Sequence, residues 1–293
     1  MEREKVVFIQ KQAPGDNLVM TTALRELHLQ YPNKFKTAVF TYYPEIYNNN
    51  PFVDNTNDIT GYREIKLDYV PYLRKAHLTG KHFTSAFIDL FNEHLGLRIQ
   101  NECIYPDIFL SDEEKSIRIL DKFKIEEPYW IINAGFKNDI PLKAYPESYW
   151  QKIVNLANDN GIKLIQVGSK MHNHPYPNNV QSLVGQTEDL RDYFSLVYHS
   201  IGGIGGISLQ MHVAAAFRKP YIVLAGGRED KNWEAYPNHQ FFHTVGMLDC
   251  CLNGGCWKSQ RKDCLHLDKY PLCLQLINPI EVFDKIKKIT NRC

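Results

Sequence analysis

Long apolar runs are missing from this chain. No stretch approaches the roughly 20 residues a helix needs to cross a bilayer, and Met1-Glu2-Arg3-Glu4-Lys5 leads straight into a short strand-like segment. Neither an apolar signal core nor a small-residue cleavage site is present, so a cytoplasmic protein is expected. Charge of one sign is scarce as well. The formal net charge is +1 and no dense Lys/Arg block occurs, which removes the phosphate-neutralising surface of a dedicated nucleic-acid binder. Internal repeats and low-complexity tracts are also lacking. What remains is 293 residues, 44% of them hydrophobic, enough for one large core or two ordinary domains.

The order of segments predicts an α/β fold. Lys5 to Gln10 reads as a strand, Asp16 to Gln30 as a helix with Met20, Leu24 and Leu27 on one face and Asp16 as N-cap, and Lys36 to Thr41 as the next strand. The pattern then loosens until a helix from Thr84 to Leu95, which Gly96 ends. A charged helix is expected from Ser111-Asp112-Glu113-Glu114 to before Pro128, and the domain junction is placed there: residues 1–125 form one unit and 126–293 the other. The second unit reads as strand Tyr129–Asn133, helix Pro146–Asn160, strand Ile162–Val167, helix Asp189–Val197, strand His199–Gly202 and strand Tyr221–Ala225. A closing helix, Pro279–Thr290, completes it.

Two glycine-marked turns stand out, each after a predicted strand and before a predicted helix. The first is Ala13-Pro14-Gly15-Asp16; the second is Gly202-Gly203-Ile204-Gly205-Gly206-Ile207-Ser208, ahead of Leu209-Gln210-Met211-His212. Such units present free backbone N–H groups and a positive dipole end, which suits a phosphate or diphosphate. One in each half predicts a cleft between them. Carboxyl ends of parallel strands gather ligands, which draws Gly168 into the candidate site.

Several blocks, in this order, resemble glycosyltransferase family 9, the ADP-heptose:lipopolysaccharide heptosyltransferase family. They are Gly15-Asp16 with Thr21-Thr22-Ala23-Leu24, then Lys143-Ala144-Tyr145-Pro146-Glu147-Ser148-Tyr149-Trp150, then Leu183-Val184-Gly185-Gln186-Thr187, and finally Met211-His212-Val213-Ala214-Ala215-Ala216. The resemblance implies a GT-B fold of two Rossmann-like domains facing across a cleft, with the acceptor on the N-terminal domain and the nucleotide sugar on the C-terminal one. It implies an inverting transfer that requires no cofactor, from a nucleotide-sugar donor, ADP-linked in the first instance, to a saccharide or lipopolysaccharide acceptor. A lipid-linked acceptor would bring peripheral membrane contact. A protein-directed transferase, a nucleotide-sugar epimerase of the same architecture and a non-catalytic nucleotide-binding scaffold are the alternatives.

Read without the resemblance, Asp16 is a helix N-cap; the resemblance makes it the catalytic base, with Gly15 beside it on the acceptor side. Lys143 matches the family's phosphate-contacting lysine, and Lys137 is a second candidate in the same loop. Gly205, Gly206, Ser208, Leu209 and Gln210 would receive the diphosphate, while His212 reads equally as a donor contact or a core histidine. The Gly205–Ser208 turn departs from the family in carrying no carboxylate to hold a donor sugar, which puts heptose in question. His82 is an acceptor-side candidate.

Five of the seven cysteines fall between residues 250 and 273. They read as packed thiols, as a disulfide pair, or as four thiolates around a structural Zn or Fe ion. For a metal the expected set is Cys251, Cys256, Cys264 and Cys273, because neighbours Cys250 and Cys251 seldom bind one ion together. Members of the wider family carry cysteine-rich segments at this position.

Overall fold

A computed structural model describes residues 2–54, 56, 58–126, 128–137, 141–257 and 263–292. The chain begins with strand β1 (Glu4–Gln10), helix α1 (Pro14–Gln30) and strand β2 (Phe35–Thr41), followed by β3 (Arg63–Lys66), α2 (Val70–Leu78), α3 (Thr84–Leu95) and the short α4 (Arg118–Phe123). These strands pair in parallel in the order β2-β1-β3.

A second sheet follows. Its strands are β4 (Trp130–Asn133), β5 (Leu164–Gln166), β6 (Gln181–Ser182), β7 (Gly202–Gly205), β8 (Tyr221–Gly226) and β9 (His239–His243). Between them run α5 (Glu147–Asp159), α6 (Leu190–His199), α7 (Leu209–Ala216) and α8 (Lys231–Glu234), and after them α9 (Leu272–Gln275) and α10 (Pro279–Thr290). The order β6-β5-β4-β7-β8-β9, parallel throughout, is that of a dinucleotide-binding sheet, whose switch point lies between the first strand and the fourth, here β4 and β7.

Two expectations change in detail. The glycine-rich run is itself strand β7, and only Gly206, Ile207 and Ser208 make the turn. The glycines serve close packing: a Cβ on Gly202 would lie 2.5 Å from the Pro220 carbonyl oxygen, on Gly203 2.8 Å from the Tyr221 ring, and on Gly205 2.7 Å from the Asn133 carbonyl oxygen. Gly202 consequently starts the strand rather than ending it. The charged helix begins at Arg118, seven residues after Ser111, although Ser111 and Glu114 do make the reciprocal bonds of a capping box.

Alternation along β4 divides the core. Tyr129 and Ile131 join a cluster that runs without a break from α3 and α1 of the first unit to α6 and α7 of the second. Trp130 and Ile132 face the other way, onto α5 and α10. Helix α10 is tied down by the Trp130 indole N–H, which donates to Thr290 Oγ1 at 2.9 Å. Helix α1 is buried from Asn17 to Leu24 on every face, because it lies against both α3 and α7.

One buried cation fastens the two units. Arg191, on α6, donates to both Glu114 oxygens at 2.6 and 2.7 Å, to the Glu45 carbonyl at 3.1 Å and to the Phe109 carbonyl at 2.7 Å. Removing the guanidinium would strand a partly buried carboxylate, so Arg191→Met should cost about 3 kcal/mol of stability. The Arg191 bonds hold the Glu114 carboxyl below its ordinary value. A depressed folded pKa means that this contribution is complete above the unfolded value of 4.5 and is lost as pH falls through the folded one. Urea titration should therefore show a gap between wild type and Arg191→Met that is constant at neutral pH and narrows in acid; a gap under 1 kcal/mol at pH 7 would remove the clamp.

Candidate active site

The first glycine turn is built around Asn17. Its side-chain amide donates to the Gln12 and Ala13 carbonyls at 2.9 and 3.1 Å, and its Oδ1 accepts from Thr41 Oγ1 at 2.7 Å and from the Tyr47 hydroxyl at 3.2 Å. Pro14 occupies the first helical position, where its missing N–H costs nothing. Ala13 is the N-cap, so Asp16 sits one turn into the helix and not at the cap. The Tyr69 phenol and the Ala13 backbone N–H lie near its carboxylate and favour its charged form. Burial pushes the Asp16 pKa up, and these two groups together with Lys137 and Lys143 oppose that shift without cancelling it. The result is a carboxylate more basic than a solvated one, held in place on two sides.

Gly15 lies directly on α7. A Cβ there would be 3.3 Å from His212 Cδ2, so that the ring would have to give by a few tenths of an ångström, and in ordinary contact with Leu209 Cα at 3.7 Å. The N-termini of α1 and α7 thus meet, and Asp16, the residue after Gly15, lies within charge reach of Lys143. Ser208 is the α7 N-cap but its side chain makes no capping bond to the helix. Leu209 is half-buried, and Gln210 is fully buried with neither side-chain polar atom hydrogen-bonded.

Lys143 closes the third side. It ends the single turn Pro141–Lys143, and its Nζ lies 3.0 Å from Glu229 Oε1 and donates to the Ile207 carbonyl at 3.2 Å. The ammonium therefore sits against the turn into α7, and its charge is felt at Asp16, His212 and Glu234. Lys137 is exposed and reaches Asp16 only through its charge; residues 138–140 of its loop lie outside the described residues.

The histidines are neutral. Burial drives His212 down to about 3, and its Nδ1 is hydrogen-bonded to the Tyr236 hydroxyl at 2.9 Å. His212 is accordingly a wall between α1 and α7 at physiological pH, with no proton to give. Burial likewise lowers His82 to about 4; its ring stands 5.1 Å from that of Tyr236 and its Nδ1 is 3.0 Å from Thr84 Oγ1. Gly168 lies apart, beyond the end of β5, where a Cβ would overlap the His174 ring at 2.2 Å.

Sequence reasoning missed Tyr69, Glu229 and Glu234. Tyr69 precedes α2, in a stretch without periodicity, and the two glutamates follow β8 in a loop with no motif. Both glutamates are buried. Glu229 has Lys143 as partner, while burial and the charge of Glu229 push the Glu234 pKa well up. The arrangement can take a proton at Asp16 and receive negative charge at Lys143 and the α7 N-terminus.

The cysteine segment packs behind this loop. Cys256 N donates to the Gly227 carbonyl and Trp257 N to the Arg228 carbonyl, both at 3.0 Å. Cys250, Cys256, Cys264 and Cys273 line one cavity with Asp263 and Arg228. The Cys251 thiol donates to the Thr244 and Leu248 carbonyls at 3.3 and 3.4 Å, and its sulfur would lie 2.9 Å from a Cβ on Gly227, which lines the same cavity. Burial raises the Cys250, Cys256 and Cys273 thiols, Cys250 to about 11, and the neighbouring thiols add to each shift. Among the described residues the sulfurs of this cavity do not gather into a four-thiolate site; the group whose ligand atoms lie within 4.8 Å of one another is Asp249, Cys250 and His266. Residues 258–262 of the segment lie outside the described residues.

A family model described as glycosyltransferase family 9 (heptosyltransferase) matches residues 25–251. Among solved structures, a glycosyl transferase family 9 protein from Veillonella parvula DSM 2008 is similar over 100% of this chain and 99% of its own, with TM-score 0.72 and 13% identity. The ADP-heptose lipopolysaccharide heptosyltransferase II of E. coli is similar over 98% and 99%, with TM-score 0.63 and 15% identity. TibC, an iron-containing dodecameric glycosyltransferase from enterotoxigenic E. coli H10407, is similar over 100% of this chain and 78% of its own, with TM-score 0.70 and 16% identity. No curated protein matches. At such identities the structural likeness speaks for the fold, two parallel α/β halves in the GT-B arrangement. No helix among the described residues is long and apolar enough to cross a membrane.

Proposed function

The chain belongs to glycosyltransferase family 9, and from that premise we propose that it moves a sugar, with inversion, from a nucleoside diphosphate donor to a saccharide hydroxyl such as one of the lipopolysaccharide core. The observation that carries this reading is the meeting of Asp16, a carboxylate of raised basicity, with Lys143 and the N-terminus of α7. Residues 1–125 take the acceptor, with Gly15 and His82 on that side, and residues 126–293 take the donor. An ADP-linked donor is favoured, since similar solved structures include an ADP-heptose heptosyltransferase and TibC in complex with ADP-D-β-D-heptose. The enzyme works in the cytoplasm, touching the membrane only through a lipid-linked acceptor.

In the transfer, Asp16 takes the proton of the acceptor hydroxyl as that oxygen bonds to the anomeric carbon. The bond from that carbon to the diphosphate oxygen breaks, and its electron pair leaves with the nucleoside diphosphate. Lys143 and the backbone N–H groups of Ser208, Leu209 and Gln210 receive the charge, which suits a helix N-terminus. Gly205 and Gly206 let the diphosphate approach the backbone, and Lys137 adds positive charge at the mouth. Because Lys143 and α7 supply this stabilisation, transfer requires no catalytic metal.

A structural Zn or Fe ion would sit in the cysteine segment with Asp249, Cys250 and His266 as ligands, in place of the set Cys251, Cys256, Cys264 and Cys273 expected from spacing. When bound, such an ion supplies a cross-link and no chemistry. It would fix the turn at Gly226–Arg228 and thereby Glu229, the partner of Lys143.

Asp16→Asn keeps the shape of the side chain and should lower turnover by about 10²-fold or more, the worth of a positioned base, with melting temperature unchanged. Turnover within a few-fold of wild type would remove Asp16 from the chemistry. Elemental analysis of purified protein should find about one Zn or Fe per chain, and a chelator should lower the melting temperature because a structural ion is coupled to folding. Absence of stoichiometric metal would reduce the cluster to packed thiols, and recovery of activity by Mg²⁺ in stripped, folded protein would contradict a metal-independent transfer.

A further inference from the structure

We propose that Glu234 binds a hydroxyl of the sugar being transferred and sets which sugar the enzyme accepts. This rests on the transferase reading and adds a residue that neither the sequence motifs nor the mechanism uses. Glu234 ends α8, which lies against the first unit: the Trp233 carbonyl accepts from the Phe83 N–H at 2.8 Å, and the Trp233 ring packs 4.4 Å from that of His77 and 5.6 Å from that of Phe83. The segment after β8 thus reaches across to α2 and α3, with Glu234 at its end.

Three features mark Glu234 as a ligand-facing group. It is only 4% exposed, and its Oε2 has no hydrogen-bond partner. A buried polar oxygen left without a partner costs free energy, about 1–3 kcal/mol, unless something binds it. Secondly, Glu234 is within charge reach of both Asp16 and Lys143. The transferred ring must lie between the base that takes the acceptor proton and the cation that takes the diphosphate, and Glu234 borders that interval. Thirdly, Glu229, the other buried carboxylate of this loop, is already paired with Lys143. Glu234 is left for the sugar, a role that the turn at Gly205–Ser208 cannot fill for want of a carboxylate. Burial pushes the carboxyl pKa well up, with Glu229 and Asp16 acting in the same sense and Lys143 against. A neutral carboxyl can both accept from and donate to a sugar hydroxyl.

The test compares matched ligand pairs: ADP with ADP-D-β-D-heptose, UDP with UDP-glucose, and GDP with GDP-mannose. Calorimetric affinities are measured for wild type, Glu234→Ala and Glu234→Gln. For the pair in which the sugar adds most to wild-type affinity, Glu234→Ala should lower the ratio of sugar-nucleotide to nucleotide affinity about tenfold, while affinity for the bare nucleotide changes less than twofold. Glu234→Gln, which resembles the neutral acid in size and polarity, should stay within about threefold of wild type in that ratio and keeps the test open if the alanine variant does not fold. Equal losses for nucleotide and sugar nucleotide, or an unchanged ratio in the alanine variant, would overturn the assignment and leave the transferase reading intact; where only the glutamine variant folds, a loss of bare-nucleotide affinity would do so. Wild type that binds none of the six ligands would overturn the transferase reading itself, and this inference with it.

Discussion

Everything at the site depends on how closely α1 approaches α7. The two helices follow strands of different sheets, and Gly15 is a point at which they come close, its missing Cβ 3.3 Å from the His212 ring and 3.7 Å from Leu209 Cα. This contact brings the two strand-turn-helix units together, with Asp16 on one helix beside the turn that opens the other. His212 contributes as a neutral ring wedged between the helices, and its bond to Tyr236 ties that wedge to the segment after α8. The continuous apolar cluster from α3 through α1 to α7 explains why the approach is held.

Electrostatics then distribute the work. One ammonium, Lys143, faces three buried or half-buried carboxyl groups, and it cannot compensate all of them. Glu229 takes the direct ion pair. Burial raises the Asp16 pKa, and the Tyr69 phenol, Lys137 and Lys143 act against that rise. Burial takes Glu234 well above its ordinary value, with the charge of Glu229 acting in the same sense and Lys143 against.

Much of this was legible in the sequence where local signals were strong. Helix α3 with Gly96 in the left-handed conformation, helix α5 after Pro146, helix α6 capped by Asp189 and helix α10 at Pro279–Thr290 all follow from apolar spacing and caps. Strand β7 was not legible, because glycine has low strand propensity and its use here depends on the bulk of Trp130 and Tyr221 on the neighbouring strands. Strand β3 buries a single residue, Ile65, so it carries no alternation to read. Asp16 and Lys143 were found through the family resemblance, whereas Tyr69, Glu229 and Glu234 come to the site only through tertiary folding of loops. The grouping of Cys250 with Asp249 and His266 was not legible either, because His266 lies 16 residues further along the chain.

The cysteine segment belongs to the same design, since its backbone holds the turn from which Glu229 reaches Lys143. The central claim is that Asp16, Lys143 and the N-terminus of α7 form a single nucleotide-sugar site. A crystal structure with ADP bound tests this most directly. The account predicts the β-phosphate within hydrogen-bond distance of Lys143 Nζ and of at least one backbone N–H among Ser208, Leu209 and Gln210, with Asp16 open beside it. Nucleotide seated away from α7, with Lys143 still engaged only by Glu229 and the Ile207 carbonyl, would contradict it.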